Sequence, residues 1–232
     1  MQAIVAHLLV DEFKHVSDVT PFYDVSASWQ GEAPSPTLME KFEATGRRCW
    51  NTHLLWSLLP KDDGPRYIYV TRDGRDAVVS FWHHLTNQRG DAGTLDEPIG
   101  SFVDGVISGT QPYGSWASHI ADWSTAFEDP RVLAISYEEM KADLHAVVQR
   151  VANHIGADQS RVEAVAARCT FEQASMIIQP PRYNIHLTAF SDQPAFHNYS
   201  LLGAQRICHK FTQVWMFMRR CGKKKCCTNR SQ

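Results

Sequence analysis

The chain has 232 residues, 44% of them hydrophobic and 21% charged, which suits one sizeable α/β core and is too short for two comfortable domains. Its net charge is −2, but residues 219 to 232 carry six basic side chains and no acid, which leaves −8 for the body and excludes a nucleic-acid binder of the basic-patch kind. Of six cysteines, Cys49 and Cys169 lie in the body and Cys208, Cys221, Cys226 and Cys227 crowd the end; no histidines stand at zinc-finger spacing, so no metal is expected and the thiols read as free.

The chain opens on a helical pattern, with Ile4, Val5, Leu8 and Leu9 at helical spacing. The apolar stretch from Ile4 to Val10 contains His7 and runs into Asp11 and Glu12. It lacks the basic flank of a signal peptide and the length of a membrane span, so a cytoplasmic protein without an integral membrane segment is expected. Gly31 to Pro36 reads as a loop and Arg47 to Thr52 as a short strand. A turn from Pro60 to Pro65 leads into Tyr67 to Thr71, a buried strand. From Asp73 the pattern is helical, with Ala77, Val78, Phe81 and Leu85 on one face.

Gly100 to Gly114 is rich in turn residues and reads as a long loop with some helix; Ser115 to Phe127 is helical. Val132 to Tyr137 reads as a second apolar strand. Leu144, Val147, Val148, Val151, Ala152 and Ile155 then mark a helix that Gly156 closes. Strands alternating with helices of this length predict a parallel sheet with covering helices. Beyond Pro180 the periodicity fades. Residues 1–180 therefore form the expected domain, and residues 181–232 a divergent segment with a basic, cysteine-containing tail. That tail reads as a solvated terminus, with contact to anionic lipid through Cys226, Cys227 and their basic neighbours as the alternative.

Tyr67 to Leu85 is the most informative stretch: a strand runs into Arg72, a tight Asp-Gly turn, and a helix carrying Ser80. Ligands of parallel sheets sit beyond the carboxyl ends of the strands. An arginine there offers a fork of charged donors and a serine adds a neutral one, so the two can converge on a phosphate. On spacing alone, Arg72 pairing with Asp73 or Asp76 is an equal alternative.

The segment resembles the signature of the cytosolic type of PAPS-dependent sulfotransferases, in which an apolar strand, an arginine, a short turn and a serine bind the 3′-phosphate of PAPS. Other stretches are similar to that family in the same order: Asn51-Thr52-His53-Leu54 with Leu58-Leu59-Pro60, Tyr113-Gly114-Ser115-Trp116 with His119 and Trp123, Ser136 to Lys141, and Cys169-Thr170-Phe171. The resemblance implies a P-loop sulfotransferase-like fold and sulfuryl transfer from PAPS to a small-molecule hydroxyl or amine, leaving PAP, without a metal. It implies that His53 is the general base, that Arg72 and Ser80 hold the 3′-phosphate, and that Tyr137, Thr170 and Phe171 line the adenine site. Arg219 is a further candidate phosphate contact; the basic tail alone explains it equally well. Trp116 and Trp123 are assigned to the core.

Two departures accompany the resemblance. Asn51 stands where the family usually has a lysine that neutralises the transferring sulfuryl group, which predicts slower turnover. The family's Lys-Ser-Gly-Thr-Thr-Trp loop and the strand before it have no counterpart here, so an N-terminally truncated chain is expected, with a vacancy in the sheet; the sheet must then close up, recruit another segment or stay poorly folded, and low solubility and molten behaviour are expected of the isolated chain. A non-catalytic remnant that binds PAP weakly, or only a protein partner, is the alternative function.

Overall fold

The computed structural model describes residues 1–24, 29–30, 33–34, 36–86, 96–110, 114–170, 173 and 213–218. The chain starts with helix α1 (Gln2–Leu9), whose Ala3, Ile4, Val5, Ala6 and Leu8 are all buried, so it is sheathed by protein rather than laid on the surface. Strand β1 (Trp29–Gln30) pairs antiparallel with β2 (Ala33–Pro34), which lies within the stretch read as a loop, and α2 (Pro36–Thr45) follows. The main sheet begins with β3 (Arg48–Thr52) and β4 (Arg66–Thr71). Helix α3 (Gly74–Thr86) comes next and turns the expected apolar face inward, with Ala77, Val78, Phe81 and Leu85 buried.

The stretch read largely as a loop holds α4 (Ile99–Ser108). Its Phe102 and Val106, one turn apart, are buried against Phe81 and Leu85, and tertiary burial outweighs the poor helix propensity of Gly100 and Gly105. Gly109 closes it in the left-handed region at φ 79°. Helix α5 (Trp116–Ser124) is capped by Ser115. Strand β5 (Val132–Ser136) stops one residue before the predicted end. Ser136 and Glu139 form a reciprocal capping box, so Tyr137 opens helix α6 (Tyr137–Ala142) instead of ending the strand. Helix α7 (Leu144–Ile155) has the predicted face and the predicted Gly156 stop at φ 63°. Helix α8 (Val162–Arg168) packs on it and on α1.

The last described strand, β6 (Gln213–Met218), was not legible in the sequence. The sheet order is β3-β6-β4-β5, with β6 antiparallel to both neighbours and β4 parallel to β5. Three parallel strands and covering helices meet the expected α/β class. Gln213–Met218 lies between β3 and β4. Side chains alternate across the sheet: Cys49, Ile68 and Ile135 meet α1, α7 and α8, whereas Trp50, Tyr67 and Tyr69 meet α2 and α5 in an aromatic layer. Among the described residues no helix is long and apolar enough to cross a membrane.

Candidate active site

The three parallel strands deliver the motif residues to one edge. β3 ends in Thr52, β4 in Thr71 and β5 in Ser136, and His53, Arg72 and Tyr137 are the residues that follow them. Thr71 is in register with Ser136, so Arg72 and Tyr137 emerge side by side. The Arg72 guanidinium carbon lies 4.6 Å from the centre of the Tyr137 ring, a cation–π contact.

Arg72 is only loosely paired. Its Nη2 is 4.0 Å from Asp76 Oδ2, and its Nε is buried with no hydrogen-bond partner among the described residues. Asp73, the other candidate partner, is taken. It pairs with Arg75 at 3.2 Å and accepts the N–H groups of Arg75 and Asp76 at 3.0 and 3.3 Å, capping α3. The bond from the Arg75 side chain, with those backbone donors, lowers the Asp73 pKa. Asp76 and Ser80 are four residues apart on α3 and so neighbours on its surface. Arg72, Asp76 and Ser80 thus follow one another along one side, with Ser80 half-buried. A side chain with charged donors and an unmet buried N–H is the chemistry that an oxyanion satisfies.

His53 is buried, 6% exposed, directly after β3. The segment Pro21 to Asp24 runs beside β3: the Asn51 N–H donates to the Pro21 carbonyl and the Tyr23 N–H to the Asn51 carbonyl, both at 2.8 Å. That pairing carries Asp24 to His53. Asp24 Oδ2 accepts the His53 N–H at 3.0 Å and stands 3.4 Å from Nδ1, while Oδ1 accepts the Thr52 hydroxyl. Phe22 stacks on the imidazole at 5.8 Å. From the other side, His119 Nε2 donates to the His53 carbonyl at 3.0 Å, and the Tyr69 hydroxyl donates to His119 Nδ1 at 3.1 Å. Burial pushes the His119 pKa down to about 4, so this chain is neutral near pH 7.

Neither Asp24 nor the bonds of His119 was found from sequence. Asp24 reaches His53 across 29 positions through a backbone pairing that leaves no local pattern; His119 stood in a recognised motif, but its bonds depend on Tyr69 and the turn after β3. Asn51 is fully buried, and both atoms of its carboxamide lack a partner among the described residues. Trp123 is core, as assigned; Trp116 is half-buried, packed near α4 and over Gly74, where an added Cβ would come within 3.2 Å of its ring.

Thr170 follows α8, half-buried, and accepts the Gln173 N–H at 3.4 Å. No hydrogen bond among the described residues joins it to Arg72 or Tyr137. Phe171 and Arg219 lie outside the described residues; Met218 pairs with Arg48, at the opposite end of the strands from Arg72. Among the described residues no group of three or more His, Cys, Asp or Glu is placed to hold a metal ion.

Comparison with known proteins bears on this arrangement. Residues 5–177 match the family model described as the sulfotransferase domain. Bovine (Bos taurus) sulfotransferase 1A1 is 31% identical over 146 residues, covering 60% of this chain and 48% of the relative. Mouse (Mus musculus) sulfotransferase 2B1 is 28% identical over 192 residues, 78% of this chain and 51% of the relative. The chain thus spans about half the length of the curated relatives it matches. Among solved structures, retinol dehydratase in complex with androsterone and inactive cofactor PAP superposes with a TM-score of 0.55 at 20% identity, over 74% of this chain and 60% of that one, and so shares the fold. Because the matched domain takes in β3, β4, β5 and the motif residues at their ends, the chain belongs to the sulfotransferase family.

Proposed function

We propose that the chain is the body of a PAPS-dependent sulfotransferase acting on a small-molecule hydroxyl or amine, with His53 as general base. The observation that carries this reading is Arg72: a guanidinium resting on Tyr137, with a buried Nε–H unmet among the described residues, at the carboxyl ends of adjacent parallel strands. Such a group fits a phosphate. Arg72 and Ser80 would hold the 3′-phosphate, and Tyr137, Thr170 and Phe171 would line the adenine site. The PAP in the retinol dehydratase structure supports the same nucleotide for this fold.

PAPS, when bound, supplies the activated sulfuryl group, whose bond to the phosphate oxygen breaks toward PAP as the bond to the acceptor forms. The residues of this chain do the rest. His53 takes the proton of the acceptor hydroxyl or amine; an imidazole suits this because its ordinary pKa lies near neutrality. Asn51 offers an N–H donor without charge.

Titration calorimetry with PAP tests the reading. Arg72→Ala is expected to weaken PAP binding by about 2 kcal/mol, roughly thirtyfold, as the loss of a charge-assisted bond does. Equal affinity for the wild type and Arg72→Ala overturns the phosphate assignment. Transfer of labelled sulfate from PAPS to a panel of phenols, alcohols and amines, lost in His53→Ala, tests the base.

A further inference from the structure

We infer that Asp24 is a positioning residue: its carboxylate holds the His53 ring in the Nδ1–H tautomer and thereby makes Nε2 the basic nitrogen. The inference rests on the reading of His53 as the base, although the tautomer itself can be measured without any activity.

An ionised carboxylate only accepts hydrogen bonds. Asp24 Oδ2 stands 3.0 Å from the His53 backbone nitrogen and 3.4 Å from Nδ1, so a proton on Nδ1 meets an acceptor, whereas a lone pair there would face a second lone pair. The side chains of His53 and Asp24 are only 4% and 17% exposed, so water screens this choice weakly. Asp24 cannot easily turn away. Its Oδ1 accepts the Thr52 hydroxyl, which in turn accepts the Leu54 N–H at 3.2 Å, and the preceding residues are bonded along β3. The stacked Phe22 ring limits rotation of the imidazole.

The backbone of His53 is fixed independently. Its carbonyl can only accept, so His119 donates from Nε2, and His119 Nδ1 takes the Tyr69 hydroxyl. The two histidines therefore sit in opposite tautomers, His53 protonated on Nδ1 and His119 on Nε2. Which nitrogen of an imidazole carries the proton is set by the bond its other nitrogen makes, and here a carboxylate and a carbonyl set it differently.

Long-range proton–nitrogen correlation spectra of the full chain, with isotope-labelled histidines, test this directly. His53 is assigned by the signal lost in His53→Gln. The expected result is a protonated Nδ1 and a pyridine-like Nε2 for His53, with the reverse for His119. Asp24→Asn should move His53 toward the Nε2–H form. In the transfer assay the same variant should lower kcat about tenfold or more with the acceptor KM within about twofold, and it should add nothing to His53→Gln. A wild-type His53 protonated on Nε2 overturns the inference, as does an unchanged tautomer in folded Asp24→Asn; if that variant does not fold, the wild-type spectrum alone decides. Expected tautomers with no sulfuryl transfer to any acceptor would leave Asp24 as the determinant of the tautomer and remove His53 as the base.

Discussion

Asn51→Val should make the protein more stable and less active. The main chain of Asn51 is bonded on both sides, to Pro21 and Tyr23 and in register with β6, yet its fully buried carboxamide has no partner among the described residues. A buried polar group left unmet costs about 1 to 3 kcal/mol. Valine suits a strand, comes near the amide in size, and asks for no hydrogen bond. The expected gain is about 2 kcal/mol, or about 4 to 8 °C in Tm for a chain of this length. Thermal unfolding followed by near-ultraviolet circular dichroism reads it well, given seven tryptophans. The amide precedes His53, and a donor there can be spent on the transferring group. In the transfer assay the variant should therefore lose about a hundredfold in kcat, the usual cost of one preorganised donor. A Tm that stays level or falls would refute the reasoning, because it would mean that the amide is bonded within the protein after all.

Two further outcomes follow from burial and from the sheet. His119 is held at about 4, below its ordinary 6.5, so the unfolded chain binds a proton that the folded chain refuses; stability is full above pH 6.5 and lost as pH falls toward 4, by about 3 kcal/mol at most. Burial lowers His7, His15 and His154 too, adding to the same slope, and urea midpoints across this range should show His119→Gln flattening the largest part of it. Trp215→Pro should cost about 3 kcal/mol or more, because residue 215 is paired with both Asn51 and Ile68 and proline breaks a central ladder. A urea midpoint unchanged by that substitution contradicts the place of β6 in the sheet.

What the sequence made legible were elements whose signal is local. Helix α7 announced its face and its Gly156 stop, and α3 announced Ala77, Val78, Phe81 and Leu85. Helix α4 was hidden because Gly100, Ser101, Gly105 and Ser108 interrupt its apolar residues with turn signals, while Phe102 and Val106 are fixed by packing against α3. The end of β5 was misplaced because Tyr137 looks like strand, and the Ser136–Glu139 box that opens α6 is a weaker signal than a run of apolar residues. Strand β6 is defined wholly by partners more than 140 positions away. The site divides along the same line. His53, Arg72 and Tyr137 were nominated by motifs, whereas Asp24 and the His119–Tyr69 pair come to His53 through contacts that only the folded chain creates.

The placement of β6 also bears on the chemistry. His53 follows β3 and Arg72 follows β4, and these strands are not neighbours: β6 lies between them. With about 4.8 Å between adjacent strands, roughly 10 Å separates the strand axes that deliver the candidate base and the candidate phosphate clamp. If β3 paired directly with β4, that spacing would halve. Because β6 runs antiparallel, its Val214 and Gln213 stand in register with Thr52 and Val70, so its starting end borders the candidate site while Met218 lies at the far end, beside Arg48. The strand between β3 and β4 therefore sets the distance between the strand ends after which His53 and Arg72 stand.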